Sequence, residues 1–150
     1  MIKIESLDSL GINTIHQIQR EAFQSYRQFF SIFPPLWETL DDLKDYLRGK
    51  EVLVTWLDET PRGFLTYFLM GKICIVDRIC LPQSTSGMEL LSALINTLVE
   101  KKEFFREIYL EIPLPLSEMI TYFLNRGFTP QGLIYRYSPD CPFIALKKKA

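Results

Sequence analysis

One histidine and three cysteines in 150 residues set the first limits on what this chain can do. A lone His16 excludes chemistry that needs a histidine pair. Within TIHQIQREAF it falls on the more polar side of a helical pattern and reads as a surface residue. Cys74, Cys80 and Cys141 have no CxxC spacing and cannot all pair, so neither a disulfide framework nor a zinc site is indicated, and no metal is expected. Cys74 and Cys80 lie in strand-like runs and read as small core residues. Charge of one sign is also lacking. Seventeen Lys and Arg stand against eighteen Asp and Glu, a net charge of −1, which gives no electrostatic reason to expect nucleic acid or an anionic membrane as partner. The terminal Lys147, Lys148 and Lys149 read as a solvated tail. No apolar run approaches the roughly 18 residues needed to span a bilayer. The opening MIKIESLDSL lacks the basic and long apolar regions of a signal peptide, so a cytoplasmic protein is expected.

What is present is an apolar chain, 47% hydrophobic and 13% aromatic, without repeats or low-complexity runs. At this length a single domain over residues 1–150 is expected, burying roughly 70% of its unfolded surface. MIKIES alternates as a short strand. INTIHQIQREAFQSY reads as an amphipathic helix with Asn13 as its N-cap. SIFPPLW interrupts it, and Thr39 with Asp42 forms a capping box that opens LDDLKDYLRG, closed by Gly49. EVLVTWL and FLTYFLMG read as a hairpin turning at DETPRG, followed by the β-branched run KICIVDRICL. Leu90, Leu91, Leu94, Ile95, Leu98 and Val99 make a helical stripe. EIYLEIP is a strand, LSEMITYFLNRGF a helix ending at Gly127, and GLIYRYS and CPFIALK two closing strands. The order β-α-α-β-β-β-α-β-α-β-β predicts an α/β fold with a mixed, mostly antiparallel central sheet and helices on both faces.

The segment LPQSTSGMELLSALI, residues 81–95, passes from a strand into a helix and admits two readings. A helix N-terminus offers free N–H groups and about half a positive charge to an anion. Ser86-Gly87-Met88-Glu89 equally fits a Ser-x-x-Glu capping box, which would spend those N–H groups on the chain itself. No Lys or Arg lies between Pro82 and Glu89. Two carboxylates interrupt apolar strands: Asp77 on a face with Ile75, Ile79 and Leu81, and Glu111 on a face with Tyr109. Desolvation there would raise their pKa toward working pH, as suits a general base, and pairing with a nearby cation is the structural alternative. YRQFFSIFPPLW gathers Tyr26, Phe29, Phe30, Phe33 and Trp37, which either pack the helices onto the sheet or shape an apolar pocket.

The element order resembles the GNAT superfamily of acyl-CoA-dependent N-acyltransferases over essentially the whole chain. YFLNRGF, Tyr122 to Phe128, is similar to the end of that family's last helix, and DETPRGFLTY, with Gly63, to its second hairpin. The family's phosphate loop, Arg/Gln-x-x-Gly-x-Gly/Ala, is matched at Gly87, whereas Thr85 stands at the middle glycine and Pro82 at the Arg/Gln position. Gln83 is the alternative in a contracted loop, roughly four residues shorter than usual. The resemblance implies acetyl-CoA or another acyl-CoA as cosubstrate and a small-molecule or peptide amine as acceptor, with a homodimer left open. It implies that Ile79, Cys80 and Leu81 line the pantetheine arm and that Ser84, Thr85, Ser86, Gly87 and Met88 receive the phosphates. It implies Asp77 or Glu111 as base. The family's tyrosine, which protonates the leaving thiolate, falls on Phe123, leaving adjacent Tyr122 as its replacement if the register shifts by one. A catalytically degenerate binding module of this fold, or an unrelated α+β interaction module, are the other readings.

Overall fold

The computed structural model describes residues 2–6, 11–84 and 86–150. Seven strands form one sheet: β1 (Ile2–Ser6), β2 (Glu51–Leu57), β3 (Thr60–Met70), β4 (Ile73–Cys80), β5 (Glu107–Pro113), β6 (Thr129–Ile134) and β7 (Phe143–Lys149). Their spatial order is β1-β2-β3-β4-β5-β7-β6. Only β4 and β5 run parallel, and every other neighbouring pair is antiparallel. Four helices, α1 (Ile12–Phe23), α2 (Leu40–Leu47), α3 (Gly87–Val99) and α4 (Ser117–Asn125), complete the order expected from the sequence.

The sheet separates two cores. On one face α1 and α2 cover Val52, Val54, Phe64 and Cys80 with Ile15, Ile18, Phe23, Leu43 and the rings that follow α1. On the other, the α3 stripe of Leu91, Leu94, Ile95 and Leu98 packs with Phe123 of α4 on Leu65, Val76, Ile108 and Leu110. Cys74 and Cys80 are both fully buried, as their strand context implies. Among the described residues no helix is long and apolar enough to cross a membrane.

Local chemistry explains most boundaries. The Thr39 capping box forms as expected: Asp42 N–H donates to Thr39 Oγ1 at 3.1 Å, and Thr39 N–H to Asp42 Oδ2 at 3.0 Å. Helix α4 ends in a Schellman turn, with Phe128 N–H donating to Phe123 O and Gly127 N–H to Leu124 O, both at 3.1 Å. Gly127 sits at φ +92°, and the Phe123 and Phe128 rings close the cap at 5.1 Å. The matched motif YFLNRGF is therefore a helix stop clamped by two rings.

Five features differ from the sequence reading. Gly11, not Asn13, is the N-cap of α1, and α1 tightens into a 3-10 turn at Gln24–Gln28 before reaching Tyr26 as regular helix. The hairpin turns on Asp58 and Glu59, both at positive φ, so Thr60, Pro61 and Arg62 belong to β3. The penultimate strand is Thr129–Ile134, ahead of the run GLIYRYS. Lys147, Lys148 and Lys149 are not a solvated tail: they pair with β5, Lys147 Nζ meets Glu107 at 2.9 Å, and Lys148 Nζ donates to Arg126 O at 2.6 Å. His16 is half-buried, its Nε2 2.7 Å from Glu38 O, and so ties α1 to the segment before α2.

Gly63 marks the closest backbone approach inside the sheet. A Cβ there would lie 2.7 Å from the Cys80 carbonyl oxygen and 3.3 Å from Thr55 Cγ2. Neither strand can yield without moving the end of β4. Gly63→Ala should therefore cost about 1–3 kcal/mol, the range for overpacking a closed site, as read from urea unfolding; an unchanged midpoint would contradict this packing.

Candidate active site

Strands β4 and β5 pair only from Ile73 with Glu107 to Val76 with Leu110. Beyond Val76 they part. The cause lies in β4, where Thr66 pairs with Arg78 and Tyr67 with Val76, leaving Asp77 as an extra residue in a β-bulge. A bulge bends its strand and re-aims side chains. Val76 and Ile79 stay with the α3 and α4 core, while Asp77 and Arg78 both turn toward α2 and the segment before it.

The bulge also fixes the backbone. Arg78 N–H points to β3, where it donates to Thr66 Oγ1 at 3.0 Å. In register Ile79 has Leu65 of β3 as its partner and none in β5, so its β5 side faces the gap.

Two clefts meet at the gap. The first, of about 360 Å³, runs from Ile79, Leu81 and Pro82 past Ser84, Gly87 and Met88 to the start of α4 at Leu116–Met119. The second, of about 380 Å³, holds Asp77, Arg78, Glu111 and Arg136 among Phe23, Phe33, Phe68, Tyr137 and Phe143. Tyr26, Ile79 and Met119 line both.

In the second cleft most charge is spent within the protein. The Arg78 guanidinium donates from Nη2 to Glu38 Oε2 at 2.6 Å and from Nη1 to Glu38 Oε1 at 2.7 Å and Gln19 Oε1 at 2.8 Å. It lies 3.4 Å from the centroid of the Tyr46 ring. Burial opposes its charge, but the hydrogen bonds and the neighbouring groups outweigh burial and hold Arg78 above its ordinary pKa. Glu111 is gripped by Arg136, which donates from Nε to one carboxylate oxygen and from Nη2 to the other at 2.7 Å, and by Tyr109 Oη at 2.7 Å. Burial pushes the Glu111 pKa up, yet these hydrogen bonds and the Arg136 charge win and leave it below the usual carboxylate range. The expected upward shift is therefore reversed, because the sequence did not reveal Arg136 as partner.

Asp77 differs from its expected setting too. It is exposed to the cleft instead of standing on a closed apolar face, because the bulge breaks the alternation with Ile79. Tyr46 Oη donates to its Oδ2 at 2.5 Å, and Thr66 Oγ1 lies 2.8 Å from the same hydroxyl. Asp77 Oδ1 has no side-chain partner among the described residues.

The residues assigned to the pantetheine arm and phosphates divide. Ile79 and Leu81 line the first cleft, whereas the Cys80 side chain is buried in the α1 and α2 core. Ser84, Gly87 and Met88 also line that cleft. Thr85 lies outside the described residues. Ser86 does not cap α3: its side chain makes no cap hydrogen bond, and its Oγ instead meets Ser84 Oγ at 2.7 Å. The expected capping box with Glu89 is absent because Ser86 has helical backbone angles, φ −79° and ψ −8°, while a capping residue needs extended ones. Glu89 is exposed.

Gly87 sits where a Cβ would be 2.8 Å from the Pro82 carbonyl oxygen, so the loop folds tightly over the helix start. Gly87 N–H is spent on Ser84 O at 3.1 Å. A narrow, largely apolar cleft ending in an uncapped helix start suits a pantetheine arm. Its phosphate end is weaker, since Glu118 is the one charged side chain lining it.

Tyr122 lies in neither cleft. It faces a depression that adjoins the first cleft through Met88, Ser117 and Glu118 and is completed by Thr121 and Asn125, and its Oη accepts from Arg126 Nη1 at 3.2 Å. Phe123 is fully buried. The sequence reading also missed Gln19, Arg78, Glu38, Tyr46 and Arg136 as site-forming residues. Gln19 carried a signal: it is a polar residue on the buried stripe of α1 with Ile15, Ile18, Ala22 and Phe23.

The Glu111 assignment has a testable pH signature. A depressed folded pKa means that the pair's contribution is complete above the ordinary carboxylate value of about 4.5 and fades as pH falls through the lower folded value. The difference in urea midpoint between the wild type and Glu111→Gln should therefore be larger at neutral pH than near pH 3. A pH-independent difference would contradict it.

No protein-family model matches the chain, and no curated protein matches it by sequence. Solved structures do match in fold. An acetyltransferase of the GNAT family from Streptococcus pneumoniae aligns over 100% of both chains at 12% identity and a TM-score of 0.77. The ribosomal-protein-S18-alanine N-acetyltransferase of Escherichia coli aligns over 99% of this chain and 94% of that one, at 16% identity and a TM-score of 0.78. Spermidine N-acetyltransferase from Vibrio cholerae, in complex with CoA and spermine, covers 99% and 95% at 12% identity and a TM-score of 0.76. With the parted strands and the bulge between them, this likeness gives the chain the fold of the GNAT acetyltransferases.

Proposed function

We propose that the chain transfers an acyl group, an acetyl group in the simplest case, from acyl-CoA to a primary amine. The observation that carries this reading is the gap between β4 and β5, where Ile79 lines both a cleft that can take a pantetheine arm and a cleft holding Asp77, a carboxylate that no guanidinium neutralises. Structures sharing the fold include one solved with CoA and a polyamine, which supports both halves of the assignment. Use of acyl-CoA accords with the cytoplasm expected from the sequence.

In this reading the pantetheine arm lies along Ile79 to Leu81 and the phosphates reach the start of α3 near Ser84, Gly87 and Met88. The thioester carbonyl oxygen accepts from Ile79 N–H, which stabilises the negative charge that grows there during attack. Asp77 takes the proton of the attacking nitrogen through Oδ1, while Tyr46 holds Oδ2 and sets the carboxylate's orientation. Glu111 serves instead as the partner that fixes Arg136. The acceptor is an ammonium on an apolar or aromatic body: Asp77 is the carboxylate of this cleft that no guanidinium neutralises, and rings make up much of the wall.

A second reading, a binding module without transfer, is favoured by the single Glu118 charge at the phosphate end and by Phe123 in place of a tyrosine. Release of free thiol from acetyl-CoA with a panel of aryl-alkyl amines, diamines and peptides separates the two. Transfer should occur, and Asp77→Asn should lower kcat/KM by about 10²- to 10⁴-fold, the usual worth of a general base, with the KM for acetyl-CoA little changed. CoA binding without thiol release would support the second reading. Affinity for CoA weaker than about 1 mM, some −4 kcal/mol, would exclude transfer and leave the second reading.

A further inference from the structure

We propose that Tyr26, which the sequence placed only among the rings of YRQFFSIFPPLW, donates the hydrogen bond that stabilises the departing thiolate. The proposal rests on the acyl-transfer reading. It stands on where Tyr26 lies: with Ile79 and Met119 it lines both clefts, and thus the place where a thioester would bridge them.

The side chain is 9% exposed, and its hydroxyl makes no hydrogen bond within the described residues. It is not among the buried polar atoms left without a partner, so its oxygen reaches the open space of the clefts that Tyr26 lines and is available to donate there. The ring cannot swing away. Phe23 and Phe33 hold it at 4.8 and 4.9 Å between centroids, with Phe29 and Phe30 at 6.0 and 6.4 Å. The 3-10 turn at Gln24–Gln28 makes this possible, since three residues there complete about a full turn and bring Tyr26 over Phe23, whereas a continued α-helix would leave it about 60° short.

The alternatives are removed by position. Phe123 has no hydroxyl and is sealed in the core, and Tyr122 lines neither cleft at their junction but the depression that adjoins the first one at Met88, Ser117 and Glu118. Burial, and to a lesser degree Cys80, pushes the Tyr26 pKa well above that of an ordinary tyrosine. The phenol therefore stays neutral and keeps its proton for donation.

In the transfer step the bound ammonium first gives one proton through Asp77 to solvent; the neutral amine nitrogen then forms a bond to the thioester carbon, and the tetrahedral adduct loses its second nitrogen proton to Asp77. Collapse of the tetrahedral adduct breaks the C–S bond, and the electron pair goes to sulfur. Tyr26 O–H donates to that sulfur without giving up its proton. The thiolate takes a proton from solvent on release, Asp77 returns its own to solvent, and the products are the amide and CoA thiol.

The test reads the thiol directly. Ultraviolet titration of the thiolate of CoA bound to wild type and to Tyr26→Phe should give a thiol pKa about one pH unit higher in the variant, because a hydrogen bond to the charged form favours that form. The kcat for acyl transfer should fall about 10- to 100-fold, with KM for acetyl-CoA within about threefold. Fluorotyrosine at position 26, a stronger donor of nearly the same shape, should keep kcat at or above that of wild type. An identical thiol pKa in wild type and Tyr26→Phe overturns the assignment, as does a fluorotyrosine protein as slow as Tyr26→Phe. Failure of wild type to bind CoA overturns the acyl-transfer reading itself, and this assignment with it.

Discussion

Two neighbouring parallel strands separate after four residue pairs, and the site exists because they do. Had β4 continued in register, the backbone of Asp77 to Cys80 would be sealed against Glu111 to Pro113. The single extra residue at Asp77 prevents this by turning β4 away from β5. Its consequences reach from backbone to chemistry. Ile79 has no partner in β5, a carboxylate moves from an apolar face into a cleft, and clefts of about 360 and 380 Å³ open on either side of the gap.

Holding that opening in one shape falls to a buried charge. Taking Arg78 and Glu38 out of water costs several kcal/mol per ion, and only near-ideal hydrogen bonding offsets it. The pair has that geometry, with two guanidinium–carboxylate bonds, a third bond to Gln19 and the Tyr46 ring beneath. It adds little net stability; its effect is to fix position. Glu38 and Gln19 belong to the segment after α1 and to α1 itself, so the ion pair docks the aromatic wall of the acceptor cleft onto the bulge. Tyr46 serves twice, as the floor for Arg78 and as the donor to Asp77. Thus the charge that fixes the wall also fixes the Asp77 carboxylate.

The elements were legible because their signals are local. Periodicity placed every helix and strand in the right order, and the Thr39 capping box and Gly127 stop marked two boundaries. The bulge was not legible, since KICIVDRICL has no glycine or other mark of an extra residue, and alternation therefore put Asp77 on the wrong face. The partners of Glu111 and Arg78 lie 25 and 40 residues away in sequence, beyond any local pattern. The start of α3 failed for another reason. Ser-x-x-Glu has the composition of a cap, but the cap depends on an extended residue, and the tight approach of Gly87 to Pro82 accompanies a helical Ser86 instead. Tyr26 was grouped correctly with its aromatic neighbours; only the fold shows that its hydroxyl lies where two clefts join.

A thioester seated in the gap between β4 and β5 is the central claim, and amide hydrogen exchange, followed by NMR with and without acetyl-CoA, addresses it at single residues. Bound acetyl-CoA should slow exchange at Ile79 N–H and should shift the signals of Leu81, while the distant β2–β3 turn at Asp58 and Glu59 stays unchanged. Protection confined to the depression around Tyr122, with Ile79 exchanging as fast as in the free protein, would contradict it.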